Sequence, residues 1–303
     1  MAGNVSDPVT RGIAIDTVAP AAPGIDPIAG DNAINATEKT GGVTLTGTNE
    51  AGATVKLNLG GADLVATVTG TTWSYTLDAA AITALGEGAK TLTVTQSDAA
   101  GNTSTATQAF SVDSVAPAAP TVGTVAGDDR VNAAETSSTL SGTAEAGATV
   151  TLTLADGTVI TTTADGSGQW NHALTAADLT AMGQGDETFS VTQTDLAGNT
   201  STPPTTKTIS VDTVVPAAPG INSVAGDDII GASETGESIT GTAEANATVQ
   251  LTLGGQTFTV TADASGNWSH TLSAADITAM GEGAETLFAT QTDTAGNTSP
   301  SAT

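Results

Sequence analysis

The side chains in this sequence that could do chemistry are mostly carboxylates, and they recur at fixed places. The pattern Asp-x-x-Gly-Asn occurs three times, as Asp98 with Asn102, Asp195 with Asn199 and Asp293 with Asn297. A glutamate stands in each of three small-residue turns, at Glu50, Glu145 and Glu244. An aspartate precedes each of three proline-rich segments, at Asp16, Asp113 and Asp212. Hard oxygen ligands on loops, with backbone carbonyls beside them, suit calcium, which takes about 6 to 8 oxygens. The same residues are also ordinary turn formers, because Asp and Asn side chains bond their own backbone. Both readings stand on the residues alone. A second acidic set pairs Asp31 with Glu38, Asp128 with Glu135 and Asp227 with Glu234, in AGDNAINATE, AGDDRVNAAE and AGDDIIGASE. That spacing loosely matches a calcium loop but lacks the EF-hand pattern, so a solvated acidic turn competes with a metal site.

Other chemistries lack material. Cysteine is absent, which removes disulfides, thiolate catalysis and zinc–thiolate sites together. The two histidines, His172 and His270, each follow a tryptophan by two residues and are expected at solvent-facing strand positions. GEGA, GQGD and GEGA, from Gly86, Gly183 and Gly281, lack the Lys-Ser/Thr of a phosphate cradle. No nucleophile–base pairing is visible, so no enzyme is expected. Asp plus Glu number 32 against 6 Lys plus Arg, a formal charge of −26. Such a charge repels nucleic acid and anionic membrane surfaces and attracts cations. No run approaches the ~18 to 20 apolar residues of a membrane span, so no direct membrane insertion is expected. Met1-Ala2-Gly3-Asn4 has no signal-peptide character, and export would be encoded elsewhere.

The elements that must position the carboxylates follow from an internal repeat. DTVAPAAP, DSVAPAAP and DTVVPAAP begin at Asp16, Asp113 and Asp212, a period of about a hundred residues that marks tandem domains. Repeat one runs over 17–113, repeat two over 114–212 and repeat three over 213–303, with 1–16 matching the closing strand of a preceding repeat. Within each repeat the apolar period is two. Val150, Leu152 and Leu154 alternate with Thr149, Thr151 and Thr153, the pattern of half-buried strands. In repeat two this reading predicts strands near 121–125, 137–143, 148–154, 157–163, 168–174, 188–194 and 206–212, with one helical turn over 175–182. Seven short strands in about a hundred residues predict an all-β fold, an antiparallel sandwich of immunoglobulin type. Trp73, Trp170 and Trp268 recur once per repeat and are expected as core anchors. In that topology the Asp-x-x-Gly-Asn loop, the turn glutamate and the preceding aspartate all reach the N-terminal pole of a module. The second acidic set falls at the opposite pole.

VDTVAPAAP, AGDD..NAAE, GTAEAGATVTL, GQW and DLAGNTS, in that order, resemble the bacterial Ig-like repeats of giant secreted adhesins. The resemblance covers nearly the whole chain. It implies three tandem Ig-like antiparallel β-sandwiches in a linear rod, acting as an extender at the bacterial cell surface or in biofilm, with calcium stiffening the junctions. The partners it implies are neighbouring Ig-like repeats. A glycan- or protein-binding module is one alternative; it would require one repeat whose loops differ from the others. A second alternative comes from the ends. Repeat three stops before a last strand, and the chain begins with such a strand, so strand donation to another copy would build a head-to-tail filament.

Overall fold

Threonine alternating with Val, Leu or Ile gives each strand one apolar face, which must be buried against another sheet. The computed structural model describes residues 3, 5–231, 234 and 236–303. The chain divides into two compact units, residues 1–117 with 194–201, and residues 118–193 with 202–303.

In the first unit, Val43–Thr48, Thr72–Leu77 and Thr67–Thr69 form one sheet. The other sheet has the order Ala33–Ile34, Thr103–Val112, Gly88–Ser97, Thr54–Leu59, Ala62–Val65. Burial alternates along the strands, so Val43 and Leu45 of one sheet and Val55, Leu57 and Leu59 of the other point inward. They meet Trp73, Leu92, Val94, Phe110 and Val112 in a single core, which makes the pair of sheets a sandwich. Each such aliphatic side chain contributes about 1.5–3 kcal/mol on burial. Residues 5–16 form no strand here, and Val5, Val9, Ile13 and Ile15 are exposed.

The second unit holds two further sandwiches. In repeat two, Thr139–Thr143 pairs with Gln169–Ala173, and a five-strand sheet runs Val159–Thr163, Thr149–Thr153, Gly185–Thr194, Thr205–Asp212, Arg130–Asn132. Val150, Leu152, Phe189, Val191, Ile209 and Val211 fill its core around Trp170. In repeat three, Gly220–Ile221, Ser238–Thr242 and Asn267–Thr271 face Gln256–Thr261, Thr248–Leu253 and Phe288–Thr292 across a core around Trp268. The helical turn expected at 175–182 is Ala176–Met182, capped by Thr175 with Asp178 in a reciprocal box. Ala274–Met280 repeats this with Ser273 and Asp276.

Three features depart from the sequence reading. Residues 121–125 do not form a regular strand. They ride the edge of Thr139–Thr143 through two backbone bonds, Thr121 N–H to Thr143 O (2.8 Å) and Gly123 N–H to Ser141 O (2.7 Å), with the Thr121 hydroxyl accepting from Thr143 N–H (2.8 Å). The two prolines that flank the preceding residues, Pro117 and Pro120, supply no donors to extend the pairing. Arg130–Asn132, read as part of an acidic turn, instead pairs in parallel with Thr205–Asp212 and buries Val131. Ala33–Ile34 does the same beside Thr103–Val112 and buries Ile34. Finally, His172 is half-buried rather than solvent-facing, because the capped turn brings Asp178 Oδ2 to 2.9 Å from its Nε2. Burial raises the Asp178 carboxyl, but hydrogen bonds from His172 and Thr175 outweigh it and hold the group below its ordinary value. His270 stacks on Phe258 at a ring separation of 4.2 Å.

Each core has the same centre. Trp73, Trp170 and Trp268 are buried, and the residue paired with each across the sheet is a glycine, Gly47, Gly142 or Gly241. Trp73 Nε1 donates to Gly24 O (3.0 Å) and Trp170 Nε1 to Thr121 O (3.1 Å). The ring thus ties the start of its module to the core.

Candidate functional site

Each proline-rich segment is stitched to the module it enters by a glutamine that the sequence reading passed over. Gln96, Gln193 and Gln291 lie on the inward face of their strands, within the runs TVTQ, SVTQ and FATQ, and are buried. Gln291 Oε1 accepts from Glu244 N–H (2.7 Å), and its Nε2 donates to Ala217 O (2.7 Å). Gln193 does the same with Glu145 N–H (2.7 Å) and Ala118 O (2.6 Å), and Gln96 with Glu50 N–H (2.9 Å) and Ala21 O. A polar residue at an inward position of an alternating strand was the signal available in the sequence. Gln291→Ala should remove both bonds, leave the Glu244 N–H and Ala217 O to water at the module's edge and open a gap where the buried side chain stood, at a cost of about 1–2 kcal/mol. The melting transition of repeat three in calorimetry should fall accordingly while the others hold.

The turn glutamates place their backbone in this contact, and their side chains are exposed. Glu50 Oε2 also accepts from Ala21 N–H (3.3 Å).

The Asp-x-x-Gly-Asn loops close on themselves first. Asp293 Oδ1 accepts from Ala295 N–H and Asn297 N–H (both 2.9 Å), and its Oδ2 accepts from Asn297 Nδ2 (2.9 Å). Asp195 repeats these bonds to Ala197 and Asn199 (2.9 and 2.8 Å) and to Asn199 Nδ2 (2.9 Å). Asp98 makes them to Ala100 and Asn102, and the Asn102 side chain leads the bonds that hold its carboxyl below the ordinary value. The aspartates before the prolines make a shorter turn of the same kind: Asp16, Asp113 and Asp212 each accept, through Oδ1, the N–H two residues on.

The asparagine then joins these pieces. In the second unit, Asn297 Nδ2 also donates to Asp212 O (2.9 Å), and its Oδ1 accepts from Ala133 N–H (2.6 Å). Asn132 Nδ2 donates to Ala295 O (3.2 Å) and Arg130 Nη1 to Thr294 O (3.0 Å), so repeats two and three meet through these loops. The first unit contains the asparagine's two bonds again: Asn199 Nδ2 donates to Asp113 O (2.8 Å), and its Oδ1 accepts from Ala36 N–H (2.8 Å). Asn102 Nδ2 reaches Asp16 O at 3.3 Å.

The second acidic set lies in the segments that meet these loops, but its carboxylates serve their own turns. Asp31, Asp128 and Asp227 accept from the N–H two residues on, at 2.9, 3.0 and 3.1 Å. Glu38 Oε2 accepts from Asn35 N–H (2.9 Å) and Glu135 Oε2 from Asn132 N–H (3.2 Å). Glu234 Oε2 accepts from Gly231 N–H. The seven-residue spacing is therefore that of an aspartate turn followed by a glutamate that folds back on the residue three before it. Among the described residues, no group of three His, Asp or Glu side chains stands close enough to share a metal ion. A calcium ion here would find at most two carboxylates, with backbone carbonyls and water completing its shell.

Two-sheet sandwiches repeated in tandem, each with an acidic loop pole and a tryptophan core, define a structural repeat module. The bacterial Ig domain family matches residues 116–210 and 216–303, a bacterial Ig-like domain matches 27–114, and the chain belongs to this family. Such domains are structural modules, not enzymes. Among solved structures, one described as a 1.5-MDa bacterial ice-binding adhesin retained at the host cell surface is 32% identical, with 93% of this chain and 96% of that chain covered and a TM-score of 0.40. A Ca2+-stabilized adhesin that helps an Antarctic bacterium bind ice is 33% identical, covering 95% and 73%, with a TM-score of 0.42. A tetra-tandem repeat in the extending region of a large adhesion protein is 23% identical, covering 89% and 71%, with a TM-score of 0.29. No curated protein matches. Among the described residues, no helix is long and apolar enough to cross a membrane, which says nothing of β-barrels.

Proposed function

We propose that this chain is a structural extender segment of a bacterial cell-surface or biofilm adhesin, working outside the cell and holding an adhesive part away from its anchor. The observation that supports this best is sameness. The inward glutamine and the loop asparagine recur in each repeat with corresponding partners. A glycan- or protein-binding module would be expected to break that symmetry in at least one repeat.

Calcium at the joints is the finer part of the proposal. Thirty-two acidic against 6 basic side chains leave the array strongly repulsive and attractive to divalent cations. The proposed contributors are the aspartates of the loops and spacers and the exposed Glu50, Glu145 and Glu244, each ion taking one or two carboxylates with carbonyl and water oxygens. Bound calcium would cancel repulsion at the poles and stabilise the folded state, by about 2.7 kcal/mol at a hundredfold excess over Kd.

A second reading, a filament subunit, is favoured by a groove of about 870 Å3 in repeat three. Its lining includes residues 283–287, whose counterparts 185–189 in repeat two pair with Lys207–Val211. Ile13 and Ile15 precede Asp16 at the spacing by which Ile209 and Val211 precede Asp212, and they are 83% and 87% exposed. Strand donation from a second copy would fill that groove.

One set of measurements separates these readings. Elongated single molecules in X-ray scattering are expected of an extender, and a compact particle would count against it. Mass rising with concentration would instead favour the filament. Chelator should lower the calorimetric melting temperature; an unchanged melt would remove calcium from the proposal.

A further inference from the structure

The loop asparagine holds oxygens that a junction cation would need. Asn297 is 3% exposed, and its side chain makes three hydrogen bonds: two from Nδ2, to Asp293 Oδ2 and Asp212 O, and one to Oδ1 from Ala133 N–H. Asn199 is 5% exposed and makes the same three, to Asp195 Oδ2, Asp113 O and Ala36 N–H. Asn102, preceded by residues 5–16, keeps the two Nδ2 bonds but is only half-buried. Only an amide fits this role. It offers two donors and an acceptor from one planar group, whereas a carboxylate only accepts and a methyl does neither.

We propose that the joint between repeats two and three is latched by the Asn297 side chain, with Asp293 Oδ2 and the Asp212 backbone oxygen held for that amide, which leaves calcium at this joint the other oxygens of these two residues and those of Glu244. The latch fixes the orientation of one module on the next without calcium, and calcium at the poles adds stability without setting the angle. A cation at Asp293 Oδ2 and Asp212 O would meet the Nδ2 hydrogens, so amide and ion exclude each other there. The proposal deepens the extender reading, since an extender needs joints of fixed geometry.

The test uses the whole chain. Its lack of cysteine lets two spin labels be placed at Thr163→Cys in repeat two and Thr259→Cys in repeat three, both exposed. Double electron–electron resonance should give a narrow distance distribution in the otherwise intact chain, the same in chelator and in calcium. Asn297→Ala should lose the narrow component under both conditions, with Trp268 fluorescence unchanged as the check that repeat three stays folded. Asn297→Asp removes the two donors and sets a second carboxylate beside Asp293 Oδ2 and the Asp212 carbonyl oxygen. With two carboxylates and the Asp212 carbonyl facing one point, it should be broad in chelator and narrowed by calcium, turning a latched joint into a metal-dependent one. A doubly labelled intact chain that is broad in chelator and narrow only with calcium would overturn the latch, as would a narrow distribution that survives Asn297→Ala. An Asn297→Asp joint left broad by calcium would overturn the competition between amide and ion. A narrow distribution in a chain that scatters as a compact particle keeps the latch and drops the extender reading.

Discussion

Replacing Trp170 with alanine is expected to make repeat two melt well below the other repeats. The indole is 1% exposed and stands at the centre of a core that includes Leu140, Val150, Leu152 and Phe189. Its removal leaves a cavity and strips the Thr121 carbonyl of its donor, which sits 3.1 Å away. Large-to-small changes of this kind cost about 3–5 kcal/mol. Against a domain stability of about 5–15 kcal/mol, that is a large share. For a module of this size it should lower the transition by more than about 10 °C. Repeats one and three have their own cores, so calorimetry should show one early transition and two unchanged ones. Uniform lowering of all three would mean that the repeats share stability more widely than their separate cores imply.

Trp268 supplies an internal comparison. Its ring is 3% exposed in the same position, yet its Nε1 finds no acceptor among the described residues. The ring's packing and its hydrogen bond therefore come apart between two repeats of one chain. That tryptophan anchors each sandwich was legible from its recurrence once per repeat. The strands with Thr/Val/Leu alternation over five or six residues were legible too, whereas 121–125, which lacks that run, forms no regular strand. Arg130–Asn132 was not, because three residues are too few to show a period, and the turn formers Gly127, Asp128 and Asp129 just before it hide Val131.

At the joints, residue types were more legible than roles. Asp-x-x-Gly-Asn and the aspartate before each spacer do approach one another, through Asn102 to Asp16, Asn199 to Asp113 and Asn297 to Asp212. What no single-repeat pattern displays is the bond that crosses from one module to the next, because Asn297 and its partner Ala133 lie in different repeats. Counting carboxylates favoured an ion. Counting donors adds that the loop aspartate already has N–H groups two and four residues ahead of it.

Gly142→Ala should be nearly as damaging as the loss of the tryptophan, although it adds a single methyl. The glycine is not needed for an unusual backbone angle; it is needed for space. A Cβ there would overlap the Thr121 carbonyl oxygen and lie 2.9 Å from Trp170 Nε1, between the two partners of the Trp170–Thr121 hydrogen bond. The strand cannot easily move aside. Thr139–Thr143 is paired to Gln169–Ala173 on one edge and holds Thr121 and Gly123 on the other, at 2.8 and 2.7 Å. Overpacking costs about 1–3 kcal/mol, and the severed hydrogen bond adds about 1. Gly166→Ala is the control: nothing lies within 4 Å of its added methyl, and the change should stay within about 0.5 kcal/mol. A double-mutant cycle with Trp170→Ala locates the conflict. With the ring gone, Gly142→Ala should cost less than it does alone, yet not nothing, because the Thr121 carbonyl still fills the space. Full additivity of the two changes would show that the methyl and the ring do not compete, and that the Thr121 carbonyl alone demands the glycine.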